Sequence, residues 1–180
     1  MAQDHAALPA KPTEITPTPV RAGIDLQING ERYRHTGDPA MPLLWYLRDV
    51  LQLDGTKYGG EHGDGGADLV LVNGKATSAI NTPMSKLAGK QVITVEGLAD
   101  ARGNGNLHPL QQAFIDEDAI GCGYCTPGWL IASMELLNRN KDPSDNDIDG
   151  LPNLCRCGCQ TRVRQAIKRA AAAMKQGTKA

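Results

Sequence analysis

All five cysteines of this 180-residue chain lie in its last third, as Cys122-Gly-Tyr-Cys125 and, after a 29-residue gap, Cys155-Arg-Cys157-Gly-Cys159. A small disulfide scaffold would spread its cysteines through the chain, and residues two apart cannot be bridged without strain. Metal chelation fits the spacing better. Each group precedes a segment of helical pattern, one opened by Thr126 and Pro127 and the other near Gln160. The thiolates would therefore lie at positive helix ends, which favour an anionic metal-thiolate centre. Four thiolates suit a zinc ion or an iron-sulfur cluster. A C-x-C pair is unusual as a zinc knuckle and a fifth thiol beside it is superfluous, so the residues lean toward iron-sulfur and leave zinc and unliganded thiols as alternatives.

The rest of the chain divides into two patterns. Ile24, Leu26 and Ile28 alternate with polar residues, Asn29-Gly30 marks a hairpin turn, and Arg32 to His35 returns as a second strand. In 41–52, Leu43, Leu44, Leu47, Val50 and Leu51 fall at helical spacing, with Pro42 tolerated in the first turn. A strand over 69–72 closes on Asn73-Gly74, and 91–95 reads as the last strand. From Leu107 the pattern is helical, over 107–118, 126–139, a short turn near 144–149, and 160–175, where Val163, Ile167, Ala170, Ala171 and Met174 form one apolar stripe. The sum is an α+β chain. The polar stretch 99–106 is the expected boundary between a domain over 23–98 and another over 107–176, and residues 1–22, with four prolines among small polar residues, read as a disordered arm.

Composition narrows the function classes. A formal charge of −1 argues against sequence-blind binding to nucleic acid, which needs an excess of Lys and Arg. The apolar runs are too short to span a bilayer, and the first ten residues show no basic stretch followed by an apolar one, so no conventional export signal is visible.

Between helix and strand lies YGGEHGDGGADLVLVNG, residues 58–74, with five glycines among the eight positions from Gly59 to Gly66. Such density implies that the backbone takes positive φ angles or passes close to something bulky. Glu61, His62, Asp64 and Asp68 are competent ligands for a hard or mixed metal site, although a charged glycine loop is more often solvated. No phosphate-binding glycine motif is present. His35 reads as a strand-surface residue and His108 as a helix-start residue, while Trp45, Trp129 and Phe114 fill cores. Arg156, between two cysteines, is placed to offset the charge of a metal centre.

CGYCTPGW followed by NLCRCG and an Arg/Ala-rich helix resembles the C-terminal half of the small iron-sulfur subunit of the molybdenum hydroxylases, the xanthine dehydrogenase and aldehyde oxidoreductase family. MPLLWYLRDVLQLDGTKYG resembles the N-terminal half of that subunit, in particular the isoquinoline 1-oxidoreductase and bacterial membrane-bound aldehyde dehydrogenase type. The likeness runs from about Ile24 to Met174. It implies an N-terminal β-grasp, plant-ferredoxin-like domain and a C-terminal four-helix domain, each carrying a 2Fe-2S cluster. In the family the loop after TKYG supplies the plant-type C-x4-C-x2-C ligands, and here those positions hold Gly60, Gly65 and Asp68, with the distant fourth at Ile80. The N-terminal domain is therefore expected to keep the fold without a cluster.

The resemblance further implies one 2Fe-2S cluster on Cys122, Cys125, Cys155 and Cys157, with Cys157 also approaching the pterin and Cys159 additional. Substrate oxidation, of an aldehyde or N-heterocycle, would take place at molybdopterin cytosine dinucleotide on a large partner subunit. This chain would pass electrons to an acceptor such as a cytochrome c subunit; a zinc-bound adaptor without redox activity is the alternative. Relatives of this type imply the periplasmic side of the bacterial inner membrane, reached by export with a partner, with the cytoplasm as the alternative. Gly121 departs from the family's usual glutamine and puts the pterin contact there in question.

Overall fold

In the computed structural model, residues 23–100 and 106–177 are described. The expected arm over 1–22, and 101–105 of the expected boundary, lie outside them. Five strands form one mixed sheet: β1 (Ile24–Ile28), β2 (Glu31–His35), β3 (Leu69–Val72), β4 (Lys75–Ser78) and β5 (Gln91–Ile93), in the spatial order β2-β1-β5-β3-β4. Asn29 and Asn73 both take positive φ, and each leads a glycine through the turn that the strand twist demands. The hairpins pair antiparallel, whereas β1 runs parallel to β5 through Gln27 opposite Gln91 and Ile28 opposite Val92.

Side-chain alternation decides which strands lie inside. In β1, Leu26 and Ile28 are buried while Asp25 and Gln27 face outward, so this strand covers the core from one side. All four residues of β3 are buried, because helices cover both faces of the sheet there. Val70 and Val72 join Leu43, Leu44, Leu47, Met84, Leu87 and Val92 in one core. Leu69 and Leu71 point the other way, into a second core built mainly by helices.

The helix expected over 41–52 is shorter and differently wound. Leu43–Trp45 (α1) is α-helical and Tyr46–Val50 continues as a π-helix, with Leu51 N–H donating to Tyr46 O five residues back at 3.1 Å. Pro42 stands before the helix as its cap, in extended conformation and bridged to Pro83. His35 also departs from expectation: it is buried, with its ring edge-on to Tyr46 at 5.0 Å and Nε2 3.0 Å from Asp38 O. A short 3-10 turn at Met84–Leu87 and a helix α2 (Gly97–Asp100) complete the N-terminal half.

Four helices follow: α3 (Pro109–Asp116), α4 (Thr126–Arg139), α5 (Asp145–Asp149) and α6 (Gln160–Gly177). His108 starts α3, its Nδ1 accepting from Leu110 N–H at 3.1 Å, as expected of a helix-start residue. Ser144 caps α5 in a reciprocal pair with Asp147. The expected α6 stripe is buried from Val163 to Ala171, and Phe114 and Trp129 lie in the same core. Arg169 ties α6 to the end of α3 through Asp116 and Glu117, and Lys168 ties it to α5 through Asp145.

Candidate iron-sulfur centre

Two glycine turns prepare the cysteine segments. Gly123 in Cys122-Gly-Tyr-Cys125 has φ +81° and Gly158 in Cys157-Gly-Cys159 has φ +76°, both in the left-handed region that side chains resist. Each turn leads into a helix: Cys125 is the residue before α4, and Cys159 O accepts from Val163 N–H at 2.9 Å in the first turn of α6. Backbone N–H groups thus collect around the sulfurs.

The fold brings all four expected thiols together in two pairs. Cys122 neighbours Cys157, and Cys125 neighbours Cys155. The first pair is exposed; in the second, Cys155 is buried and Cys125 half-buried. Within each pair one thiol is driven toward the thiolate and the other away from it. The Tyr124 N–H, helped by the Cys157 thiol, lowers Cys122 below the usual thiol value. Burial, with the neighbouring Cys155 sulfur, pushes Cys125 up to about 12. Burial works against ionising Cys155, but the N–H groups of Cys159 and Cys157 and the thiols of Cys125 and Cys159 bring it below the usual value. The Cys122 N–H favours the Cys157 thiolate, yet the Cys122 sulfur and its charge leave Cys157 raised.

This donor set fits a two-iron cluster. Among the described residues no three His, Cys, Asp or Glu side chains are gathered about a point that would hold a single metal ion. Two neighbouring thiol pairs can offer two donors to each of two irons. A shallow cavity of about 280 Å³ opens beside Cys122 and Cys125, lined also by Tyr58, Gly65, Tyr124 and Leu154. Arg156 is exposed and lines the same cavity.

The glycine loop has none of this chemistry. Gly60 has φ +111° and no side chain, Ile80 packs against the N-terminal core, and Gly65 lends only its carbonyl, to Leu154 N–H at 3.3 Å. Asp68 is fully buried, and its Oδ2 accepts from Ser78 Oγ at 2.6 Å and Ile80 N–H at 3.1 Å. A single carboxylate cannot replace four thiolates, so a plant-type cluster does not fit here. Glu61, His62, Asp64 and Asp68 are not drawn into a metal-holding group either.

What the loop's glycines admit is protein. A Cβ at Gly128 of α4 would stand 1.9 Å from Gly66 O, and one at Gly66 would stand 2.5 Å from Asn153 Nδ2, which donates to Gly66 O at 2.8 Å. Tyr124 donates its hydroxyl to Tyr58 O at 2.8 Å. Tyr124, Asn153 and Leu154 each adjoin a cysteine or lie within two residues of one, so the loop braces both cysteine segments from behind. The sequence reading missed this role. The sequence offered only an Asn two positions before Cys155, and its burial against the loop is seen in the fold alone.

Comparison with known proteins agrees with the geometry. Residues 94–168 match the family described as 2Fe-2S binding domain. The chain is 41% identical over 150 residues to a nicotinate dehydrogenase subunit of Pseudomonas putida, covering 82% of this chain and 94% of that one. It is 42% identical over 153 residues to the alpha subunit of isoquinoline 1-oxidoreductase from Brevundimonas diminuta, covering 82% and 97%. Among solved structures it is similar to quinoline 2-oxidoreductase from Pseudomonas putida, with a TM-score of 0.77, 33% identity, and coverage of 87% of this chain and 97% of that one. It also superposes on aldehyde oxidoreductase from Desulfovibrio desulfuricans with a TM-score of 0.79 and 34% identity, covering 87% of this chain but only 17% of that longer one. The chain belongs to the family of small iron-sulfur subunits of the molybdenum-containing oxidoreductases, with the N-terminal plant-type cluster ligands replaced.

Proposed function

We propose that this chain relays electrons through a single 2Fe-2S cluster held by Cys122, Cys125, Cys155 and Cys157, drawing them from a molybdopterin-containing large subunit that oxidises an aldehyde or an N-heterocycle. The observation that carries the reading is the arrangement of four thiols as one exposed pair and one more enclosed pair, Cys155 buried and Cys125 half-buried. When bound, such a cluster supplies one-electron chemistry that couples an oxidation on one subunit to an acceptor on another. Cys122 and Cys157 lie on the exposed side, which suits the approach of the large subunit, with Cys157 nearest the pterin. Tyr124 and Leu154, 51% and 69% exposed beside the thiols, give that side apolar surface of the kind that interfaces cover.

The mixed sheet, with β1 and β5 parallel at its centre, supports a β-grasp reading of the N-terminal half, and α3 to α6 support a four-helix cluster domain. With the glycine loop free of thiolates, the chain offers one relay where relatives implied two. An acceptor such as the haem of a cytochrome c subunit would then have to dock close to the helical half, with the sheet as scaffold. No helix among the described residues is long and apolar enough to cross a membrane, and export with a partner to the periplasmic side is part of the same proposal.

Metal and sulfide analysis with the visible spectrum, on anaerobically purified protein, tests the reading. About two irons and two acid-labile sulfides per chain, with charge-transfer bands, are expected. One zinc and a colourless protein would overturn it in favour of a structural adaptor, and about four irons would show that the glycine loop holds a cluster after all.

A further inference from the structure

Cys159 is the thiol that the ligand set leaves over, and it is the most enclosed of the five, with 1% of its surface exposed. Three features surround it. Arg162, one turn along α6, directs Nη2 at Cys159 Sγ from 3.5 Å, and its Nη1 pairs with the Asp118 carboxylate. Asp118 itself is held at φ +49° at the end of α3. On another side Gly121 leaves the space a side chain would take: a Cβ there would come within 3.2 Å of Cys159 Sγ and 2.7 Å of Cys157 Cβ. On the third side its neighbour is the Cys155 sulfur, which shares the same buried core. A thiol has a single proton to give, and with a guanidinium donating to its sulfur from one side the Cys155 sulfur is the neighbouring acceptor on the other.

We propose that Cys159 is a positioning residue for the cluster: its buried thiol donates a hydrogen bond to the Cys155 sulfur, backed by Arg162 and Asp118, and this bond raises the reduction potential of the centre. The proposal rests on the ligand set given above. One-electron reduction adds negative charge that the ligand sulfurs share, and a donor to one of those sulfurs stabilises the reduced form more than the oxidised one. Burial at Cys155 strengthens the effect, since little water competes for the sulfur. Gly121 adjoins the device, because a Cβ there would crowd Cys157 and stand tight against Cys159 Sγ.

The test uses the full-length chain purified with its large subunit, with iron counted first and the midpoint potential then read by dye-mediated titration of the reduced-cluster EPR signal. Cys159→Ala should keep the wild-type iron content and shift the reduction equilibrium about tenfold toward the oxidised form, which is about 59 mV for a one-electron couple. Cys159→Ser, which keeps an O–H donor, should stay within about threefold of wild type, and Arg162→Gln should shift in the same direction as Cys159→Ala by less. Resonance Raman bands of the iron-ligand stretches should move on exchange into heavy water in both proteins, because backbone N–H groups also face the ligand sulfurs, and should move less in Cys159→Ala than in the wild type. An unchanged potential in a fully loaded Cys159→Ala would overturn the proposal, as would equal shifts in the alanine and serine variants. Loss of iron in Cys159→Ala would also overturn it by making Cys159 a ligand. Wild-type protein without iron would instead overturn the proposed function, and the iron count shows this before any variant is compared.

Discussion

Asp68 has no exposed surface; Oδ2 accepts from Ser78 Oγ and Ile80 N–H, and among the described residues nothing partners Oδ1. Its carboxylate joins two of the positions that resemblance to the family assigns to cluster ligands, itself and Ile80, and Asn81 extends the join by donating to His62 O at 2.8 Å. Hydrogen bonds thus close the loop where relatives would use iron. Asp68→Ala strips the acceptor from two donors and should cost about 2 kcal/mol, the usual range for stranding buried polar groups. Asp68→Asn keeps an oxygen for both donors and turns its amide toward the unpartnered side, so its cost should stay below about 1 kcal/mol. Urea denaturation of the three proteins separates the cases, and equal losses in both variants would show that charge rather than hydrogen bonding holds the loop.

At the scale of elements, α4 and the glycine loop share one close approach. Helix interiors disfavour glycine, yet Gly128 sits in the first turn of α4 because Gly66 O occupies the place of its Cβ. The same carbonyl accepts from Asn153, so α4, the loop and the segment before Cys155 meet at one atom. Gly128→Ala would gain helix propensity and still lose stability, because backbone cannot move aside as a side chain can. The expected loss is about 3 kcal/mol, at the upper end for overpacking, with weakened iron retention, since Cys125 directly precedes α4. Thermal melts together with iron content check this, and a stabilised Gly128→Ala carrying full iron would show that the loop does not brace the site.

For the whole molecule, two cores divide the labour. One lies between the sheet and α1 and contains no thiol; the other joins Leu69 and Leu71 of β3 to the helices and includes Cys155 and Cys159. Removing the metal should therefore loosen the two halves unequally. Chelation of the full-length protein under reducing conditions should raise amide exchange over 119–126 and 153–162, while β1 and the 70–72 region of β3 keep their protection. Hydrogen exchange read by mass spectrometry measures this. Loss of protection in β1 as early as in the cysteine segments would mean that the sheet depends on the cluster.

Local pattern by itself determined a good part of this protein. Alternation in β1 and two Asn-Gly turns placed the hairpins, because strand facing and turn geometry depend on neighbours in sequence. The bounds of α4, the stripe of α6 and the lack of thiolates in the glycine loop were legible for the same reason, each being a matter of residue type at fixed spacing. Tertiary structure alone decided what depends on contacts between distant residues. His35 looked like a strand-surface residue until Tyr46 covered it, and the winding of 46–50 as a π-helix has no marker in its composition. The density of glycines in the loop implies positive φ or a close approach, and what the loop approaches becomes visible only with Gly128 and Asn153 in place, 62 and 87 residues from Gly66. Likewise the sequence shows five cysteines, but only folding sorts them into two pairs and a fifth thiol backed by Arg162, because sulfur-to-sulfur distance is set by how two helix starts pack together.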